Sequence, residues 1–239
     1  MTQREEKPVK VSIFVTCLAD TLFPDVGRAT VTVLERLGCE VDFPVAQTCC
    51  GQMHMNTGYA RPAGEMVRSF ADTFADADAV VVPSGSCTGM LRHHGRSVAP
   101  GVHLPPVYEL SEFLVDVLGV TDVGATFNGT VTYHPTCHSL RLLGVGDRPY
   151  RLLQAVNGLE LRELPEAEQC CGFGGTFALK NAEVSSAMGE DKIDNALSTG
   201  AEVICTSDSS CMMHLGGLLS RRKSPVRSMH LAEILAGRE

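Results

Sequence analysis

Short apolar or β-branched runs alternate along this chain with longer stretches whose apolar residues recur at helical spacing. Val11 to Thr16, Ala79 to Val82, Thr130 to Tyr133 and Val203 to Thr206 are runs of the first kind. Without a regular polar alternate, such runs predict strands buried on both faces. Gly27 to Leu37, Tyr59 to Ala75, Arg148 to Val156 and Phe177 to Ser198 carry the longer period and predict helices. Two more runs, Glu40 to Phe43 and Leu159 to Leu164, complete a strand, helix, strand, helix, strand order in each half. That alternation predicts an α/β fold with a parallel sheet flanked by helices.

The two halves also rhyme in their landmarks. VSIFVTC ends at Cys17 and TVTYHPTC at Cys137, 120 residues on; TCCGQ holds Cys49 and Cys50 where QCCGF holds Cys170 and Cys171, 121 residues on. AVVVPSGSC ends at Cys87 and VICTSDSSC at Cys211, 124 residues on, and YELSEFL corresponds to MHLAEIL. Landmarks in one order at nearly constant offset mark an internal duplication. The expected organisation is two pseudo-symmetric cysteine-rich repeats, residues 1–120 and 121–239, each a small parallel sheet flanked by helices.

Composition narrows the chemistry. Twenty Lys and Arg against 28 Asp and Glu give a net charge of -8, with no basic run, so nucleic acid and anionic membrane surfaces are not expected partners. MTQREEKPVK has no apolar segment behind its charges, and no stretch approaches a membrane span, so a cytoplasmic chain is expected. In a reducing compartment the ten cysteines do not make a disulfide framework. Metal ligation or thiol chemistry remains.

Eight of the ten fall where the predicted strands end and the next helix has yet to start. In open parallel sheets ligands bind at that rim. Cys17, Cys49, Cys50 and Cys87 are thus expected together in the first repeat, and Cys137, Cys170, Cys171 and Cys211 in the second. Zinc takes four ligands around one small ion, and adjacent side chains of an extended segment point apart, so a CC pair fits one zinc only if the backbone bends sharply. A multi-iron cluster offers separate corners to adjacent cysteines, which favours an iron-sulfur site over a zinc scaffold. A thiol-disulfide oxidoreductase using the vicinal pairs is a third reading. Gly51 and Gly172 permit the turn and let backbone N–H groups approach sulfur in any of these.

Cys17, Cys49-Cys50-Gly51 and Cys87, repeated as Cys137, Cys170-Cys171-Gly172 and Cys211, resemble the CCG or cysteine-rich domain family, to which heterodisulfide reductases and the iron-sulfur component of glycolate oxidase contribute members. VSIFVTCLAD, LERLGCEVDFP, PSGSCTGM, LGVTDVGAT and ELPEAEQCCGFGGTF resemble its lactate-utilization branch. The resemblance implies a subunit of a cytoplasmic complex oxidising L-lactate, or a related 2-hydroxy acid, to pyruvate. Partner subunits, a ferredoxin-like iron-sulfur protein among them, would supply further redox centres. The heterodisulfide reductase members close each repeat with C-x2-C, whereas Ser84 and Asp208 stand here three residues before Cys87 and Cys211. With four thiols per repeat, the resemblance implies one [4Fe-4S] cluster in each, with zinc as the alternative in one or both sites. Asp208 is a candidate oxygen ligand or a helix cap.

The remaining residues read more plainly. Cys39 and Cys205 fall at a helix-strand junction and inside an apolar run, where a small buried hydrophobe is expected. His134 and His138 flank Cys137 and His54 follows Cys50; each could hydrogen-bond a cluster sulfur, although solvated loop histidines are commoner. His230 aligns with Glu109 and reads as structural, His93 and His94 as an exposed helix end, and the methionines as packing. The chain has no nucleophile elbow, phosphate loop or flavin fingerprint. Oxidising a hydroxy acid requires an acceptor, so an electron-transfer subunit is expected rather than a self-sufficient dehydrogenase.

Overall fold

The computed structural model describes residues 9–237; residues 1–8, which include most of the charged start of the chain, and residues 238–239 lie outside the described residues. Two four-stranded parallel sheets form, in the orders β2-β1-β3-β4 and β6-β5-β7-β8. The first holds β1 (Lys10–Ile13), β2 (Glu40–Asp42), β3 (Val80–Val82) and β4 (Val107–Glu109). The second holds β5 (Thr126–His134), β6 (Asn157–Arg162), β7 (Val203–Thr206) and β8 (Arg227–His230). Val80, Val81 and Val82 are all buried, as are the four residues of β7, matching the apolar runs that predicted them. β2 and β6, each at one edge of its sheet, are polar and partly exposed, as edge positions allow.

The fourth strand of each sheet is an element that the apolar runs do not predict. VYE follows a proline pair and RSMH follows Ser-Pro-Val, so neither stands out as a β-branched run. Both lead into a capped helical turn. Glu109 accepts from the backbone N–H of Ser111 and Glu112, and His230 Nδ1 accepts from Ala232 N–H; Glu112 and Glu233 return the bond to the cap residue's own N–H. These are reciprocal capping boxes, so the aligned pair Glu109 and His230 is structural, as expected.

The repeats share one core. Val11, Val33 and Leu114 of the first half and Val131, Leu152 and Leu235 of the second belong to the same buried cluster. Helix Pro24–Arg36 packs on the final helix Leu231–Leu235, and Leu110–Glu112 packs reciprocally on Arg148–Gln154. Arg36 fastens the first pair by donating to the carbonyls of Leu235 and Ala236, which end the final helix. At the other crossing Arg148 Nε lies 2.8 Å from both carboxylate oxygens of Asp116. Among the described residues no helix is long and apolar enough to cross a membrane.

Candidate metal centre

In each sheet the strand order reverses between the first and third strands of the repeat, β1 beside β3 and β5 beside β7. Open α/β sheets place ligands at such a reversal, beyond the carboxyl ends of the strands. Cys17 opens the helix Cys17–Leu22 after β1, and Cys87 lies in the first turn of Gly85–Gly89 after β3. Cys137 and Cys211 occupy the matching places after β5 and β7. The CC pairs arrive on the loops after β2 and β6.

Adjacent cysteines do diverge. Cys49 Sγ lies 3.7 Å from Cys17 Sγ, whereas Cys50 Sγ lies 3.1 Å from Cys87 Sγ. In the second repeat Cys170 Sγ is 3.9 Å from Cys137 Sγ and Cys171 Sγ is 3.2 Å from Cys211 Sγ. The bend follows from the next residue, since Gly51 and Gly172 sit at φ +87° and +91°. That conformation turns the Gly51 and Gly172 N–H groups back onto Cys49 and Cys170 Sγ, each at 3.4 Å.

The two quartets do not stand on separate edges. All eight thiols line a single cavity between the repeats, together with Ser86, Asp208 and His138. Cys50, Cys87, Cys171 and Cys211 are buried at its back, while Cys17, Cys49, Cys137 and Cys170 are half-buried toward its mouth. Each half-buried pair shares a thiol-thiol hydrogen bond. Cys49 and Cys170 are pushed down from the usual thiol range by those bonds with Cys17 and Cys137, helped by the neighbouring thiol and glycine N–H. Cys17 and Cys137 are pushed up by the same bonds and by burial. Cys50 and Cys171 are likewise raised, by hydrogen bonding with the cysteine before each and with Cys87 and Cys211, and by burial. Soft sulfur donors in this number suit zinc or iron-sulfur clusters.

Asp208 and Ser84 are helix caps. Asp208 Oδ1 accepts from Ser210 N–H and Oγ–H, its Oδ2 accepts from Ser86 N–H at 2.9 Å, and Ser84 Oγ accepts from Cys87 N–H. Cys39 and Cys205 are buried in the apolar core away from the cavity. His54 is exposed, and His138 Nδ1 lies 4.0 Å from Cys137 Sγ. His93 and His94 lie within a π-helical stretch, Met90–His94, that continues into Gly95–Val98, so they are not at a helix end. His134 differs most from the sequence reading. It is the last residue of β5, is 1% exposed, and has no hydrogen-bond partner on either ring nitrogen. A ring nitrogen of His134 and the sulfurs of Cys171 and Cys211 lie within 4.8 Å of one another. Lys192 carries no signal in the sequence, yet it is fully buried behind the same loop.

The pattern of the family described as "Cysteine-rich domain" matches residues 11–92 and 131–216. Lactate utilization protein A of Geobacillus kaustophilus is 50% identical over 238 residues, covering 96% of this chain and 100% of that protein. Its counterpart in Oceanobacillus iheyensis is 48% identical over 235 residues, covering 95% and 96%. Among solved structures, a putative Asp/Glu racemase from Yersinia pestis overlaps 96% of each chain at 10% identity and a TM-score of 0.38, too loose a likeness to assign fold or chemistry. The chain belongs to the cysteine-rich domain family and carries that domain twice, once in each half.

Proposed function

We propose that the chain is the iron-sulfur electron-transfer subunit of a cytoplasmic assembly that oxidises L-lactate or a related 2-hydroxy acid to pyruvate. The observation that carries this reading is the convergence of eight thiols, in four sulfur pairs, on one cavity between the repeats. The names of the full-length relatives supply the substrate class. The proposed halves are residues 1–120 and 121–239, and each would hold one [4Fe-4S] cluster: Cys17, Cys49, Cys50 and Cys87 in the first, Cys137, Cys170, Cys171 and Cys211 in the second.

The donor set fits such a group. Thiolates are soft ligands, the adjacent cysteines face different partners, and Gly51 and Gly172 N–H already point at sulfur. When bound, a cluster supplies one-electron transfer at a potential set by its ligands, hydrogen bonds and exposure. The chain's own residues bind and orient it, and the half-buried thiols at the mouth mark the side from which electrons arrive or leave. Oxidation of lactate releases two electrons and two protons, and the acceptor of hydride or its equivalent lies on another subunit. A ferredoxin-like iron-sulfur partner would pass the electrons onward.

Anaerobic purification with iron, acid-labile sulfide and zinc analysis tests the reading. The expected result is about eight iron and eight sulfide per chain, the content of two cubane clusters, with a paramagnetic signal on reduction. Stoichiometric zinc without sulfide would replace the cluster by a zinc scaffold. Reversible Cys49-Cys50 or Cys170-Cys171 disulfides without metal would indicate a thiol-disulfide oxidoreductase.

A further inference from the structure

The internal duplication offers a control on itself. Behind Cys50 and Cys87 the first repeat is walled by Phe14 and Phe70, edge to face with ring centroids 5.1 Å apart, and by Ala63 and Val82. β1 and β5 align with an offset of 120, which places His134 where Phe14 stands. Gly51 abuts Ala63 and Met66, and Gly172 abuts Ser185 and Met188 in the same way, so the helices that cover the CC loops align with an offset of 122. That places Lys192 where Phe70 stands, and the strand offset of 124 places Thr206 where Val82 stands. An apolar wall in one repeat is thus a wall of His134, Lys192, Ser185 and Thr206 in the other, and all four are buried.

The fold does not require those polar groups, because the same strands and helices close on phenylalanine in the first half. They are costly where they stand. His134 Nδ1 and Nε2, Ser185 Oγ and Thr206 Oγ1 have no partner, and an unpaired buried polar atom is destabilising. Lys192 is satisfied, since its Nζ donates to the carbonyls of Glu166 and Ala167, which tie down the loop leading into Cys170. Of these, His134 is the group that lies beside two of the proposed cysteine ligands. It stands with Cys171 and Cys211 in a triangle no wider than 4.8 Å. A neutral imidazole ligates metal through a ring nitrogen, and neither nitrogen of His134 is engaged elsewhere.

We propose that His134 is a nitrogen ligand to the metal centre of the second repeat, beside Cys171 and Cys211, so that the chain carries one all-thiolate centre and one mixed thiolate-imidazole centre. This rests on the metal-binding reading above and deepens it. Imidazole is a neutral donor where thiolate is charged, and histidine ligation raises the potential of an iron-sulfur centre. Where the imidazole takes the place of one of the four thiolates, the second centre is the better electron acceptor of the two. Lys192 acts as a positioning residue, holding the loop that leads into Cys170.

The test is pulsed electron paramagnetic resonance on anaerobically purified full-length protein, unlabelled and labelled with 15N-histidine. The expected result is a strongly coupled histidine nitrogen on one of two reduced centres. His134→Phe, which reproduces the Phe14 arrangement, should lose that coupling and leave the other centre's signal unchanged. Absence of a strongly coupled nitrogen in the unsubstituted protein, or its persistence in His134→Phe, overturns the proposal. If that variant does not fold, the labelled parent alone decides. Should the chain hold zinc without sulfide, the cluster reading fails by itself, and zinc K-edge absorption on a Cys50→Ser/Cys87→Ser variant decides the histidine. A nitrogen in the zinc shell supports it and an all-sulfur shell overturns it. A chain that binds neither metal defeats both.

Discussion

Asp208 Oδ2 accepts a hydrogen bond from the backbone N–H of Ser86, 2.9 Å away across the boundary between the repeats. The carboxylate that caps the helix Ser209–Arg221, and so places Cys211, therefore also satisfies the first turn of the helix that carries Cys87. Ser84, in the matching position, caps only its own helix. The cavity is closed by this unequal exchange.

Asp208→Ala should accordingly cost more than Ser84→Ala. Loss of a cap costs about 1 kcal/mol, and a Ser86 N–H deprived of its partner adds about 1–3 kcal/mol if water does not reach it. Urea unfolding of the metal-free chain measures the difference. Equal losses for the two variants would show that the contact across the boundary carries no energy.

The ligand assignment divides the cysteines eight to two. Cys171→Ser should lower metal occupancy of the second site, because a strong thiolate donor is replaced by a weak one. Cys205→Ser should leave metal content unchanged and cost about 1–3 kcal/mol, since its side chain sits in the apolar core and a hydroxyl there is unpaired. Cys50 and Cys39 should show the same contrast in the first repeat. A Cys205 variant that loses metal while the Cys171 variant keeps it sinks the assignment.

Gly172→Ala isolates the CC turn. A Cβ there would stand 2.4 Å from the Ser185 carbonyl oxygen, at a backbone φ of +91°. Gly58 has a similar φ of +86° with nothing within 4 Å, so Gly58→Ala measures the conformational cost alone, about 1 kcal/mol. Gly172→Ala should exceed that control and also displace Cys171, giving lower metal content. Matching stabilities in thermal melts of the two variants would remove close packing as the reason for glycine.

Much of this was legible in the chain. The buried central strands announced themselves as unbroken apolar runs, and the repeated CCG placed the thiols at the strand rim. The edge strands ending in Glu109 and His230 did not, because they are short, polar and preceded by proline. His134 looked like a loop residue because it flanks Cys137 beyond the run that ends at Tyr133, yet β5 runs through it. Lys192 looked like any lysine on an amphipathic helix. Only aligning them with Phe14 and Phe70 exposes both as buried. That the two quartets share one cavity depends on how the repeats dock, and no local pattern encodes that.

The two aligned caps, Glu109 and His230, make stability depend on pH in opposite senses. Both are fully buried, and for both burial is the main cause of the shift. Glu109 rises from 4.5 to about 7, so between those values the folded chain holds a proton that the unfolded chain has released. Stability from this group is full below pH 4.5 and falls as pH rises toward 7, by about 3 kcal/mol at 1.4 kcal/mol per unit. His230 falls from 6.5 to about 4, and its ring is held neutral with Nδ1 accepting from Ala232 N–H and Nε2 facing the Pro83 carbonyl oxygen at 3.1 Å. Here the unfolded chain binds the extra proton, so stability is full above pH 6.5 and is lost as pH falls toward 4. The two slopes oppose each other between pH 4.5 and 6.5, which flattens the profile of the parent chain. Glu109→Gln should therefore gain stability relative to the parent progressively from pH 5 to 8. His230→Gln should show its most favourable difference at pH 5, declining to a constant offset by pH 7. Subtracting parent from variant in urea midpoints of the metal-free chain cancels the surface carboxylates common to all three. A Glu109→Gln difference that is flat from pH 5 to 8 would mean that this carboxyl titrates normally in the fold and is reached by water.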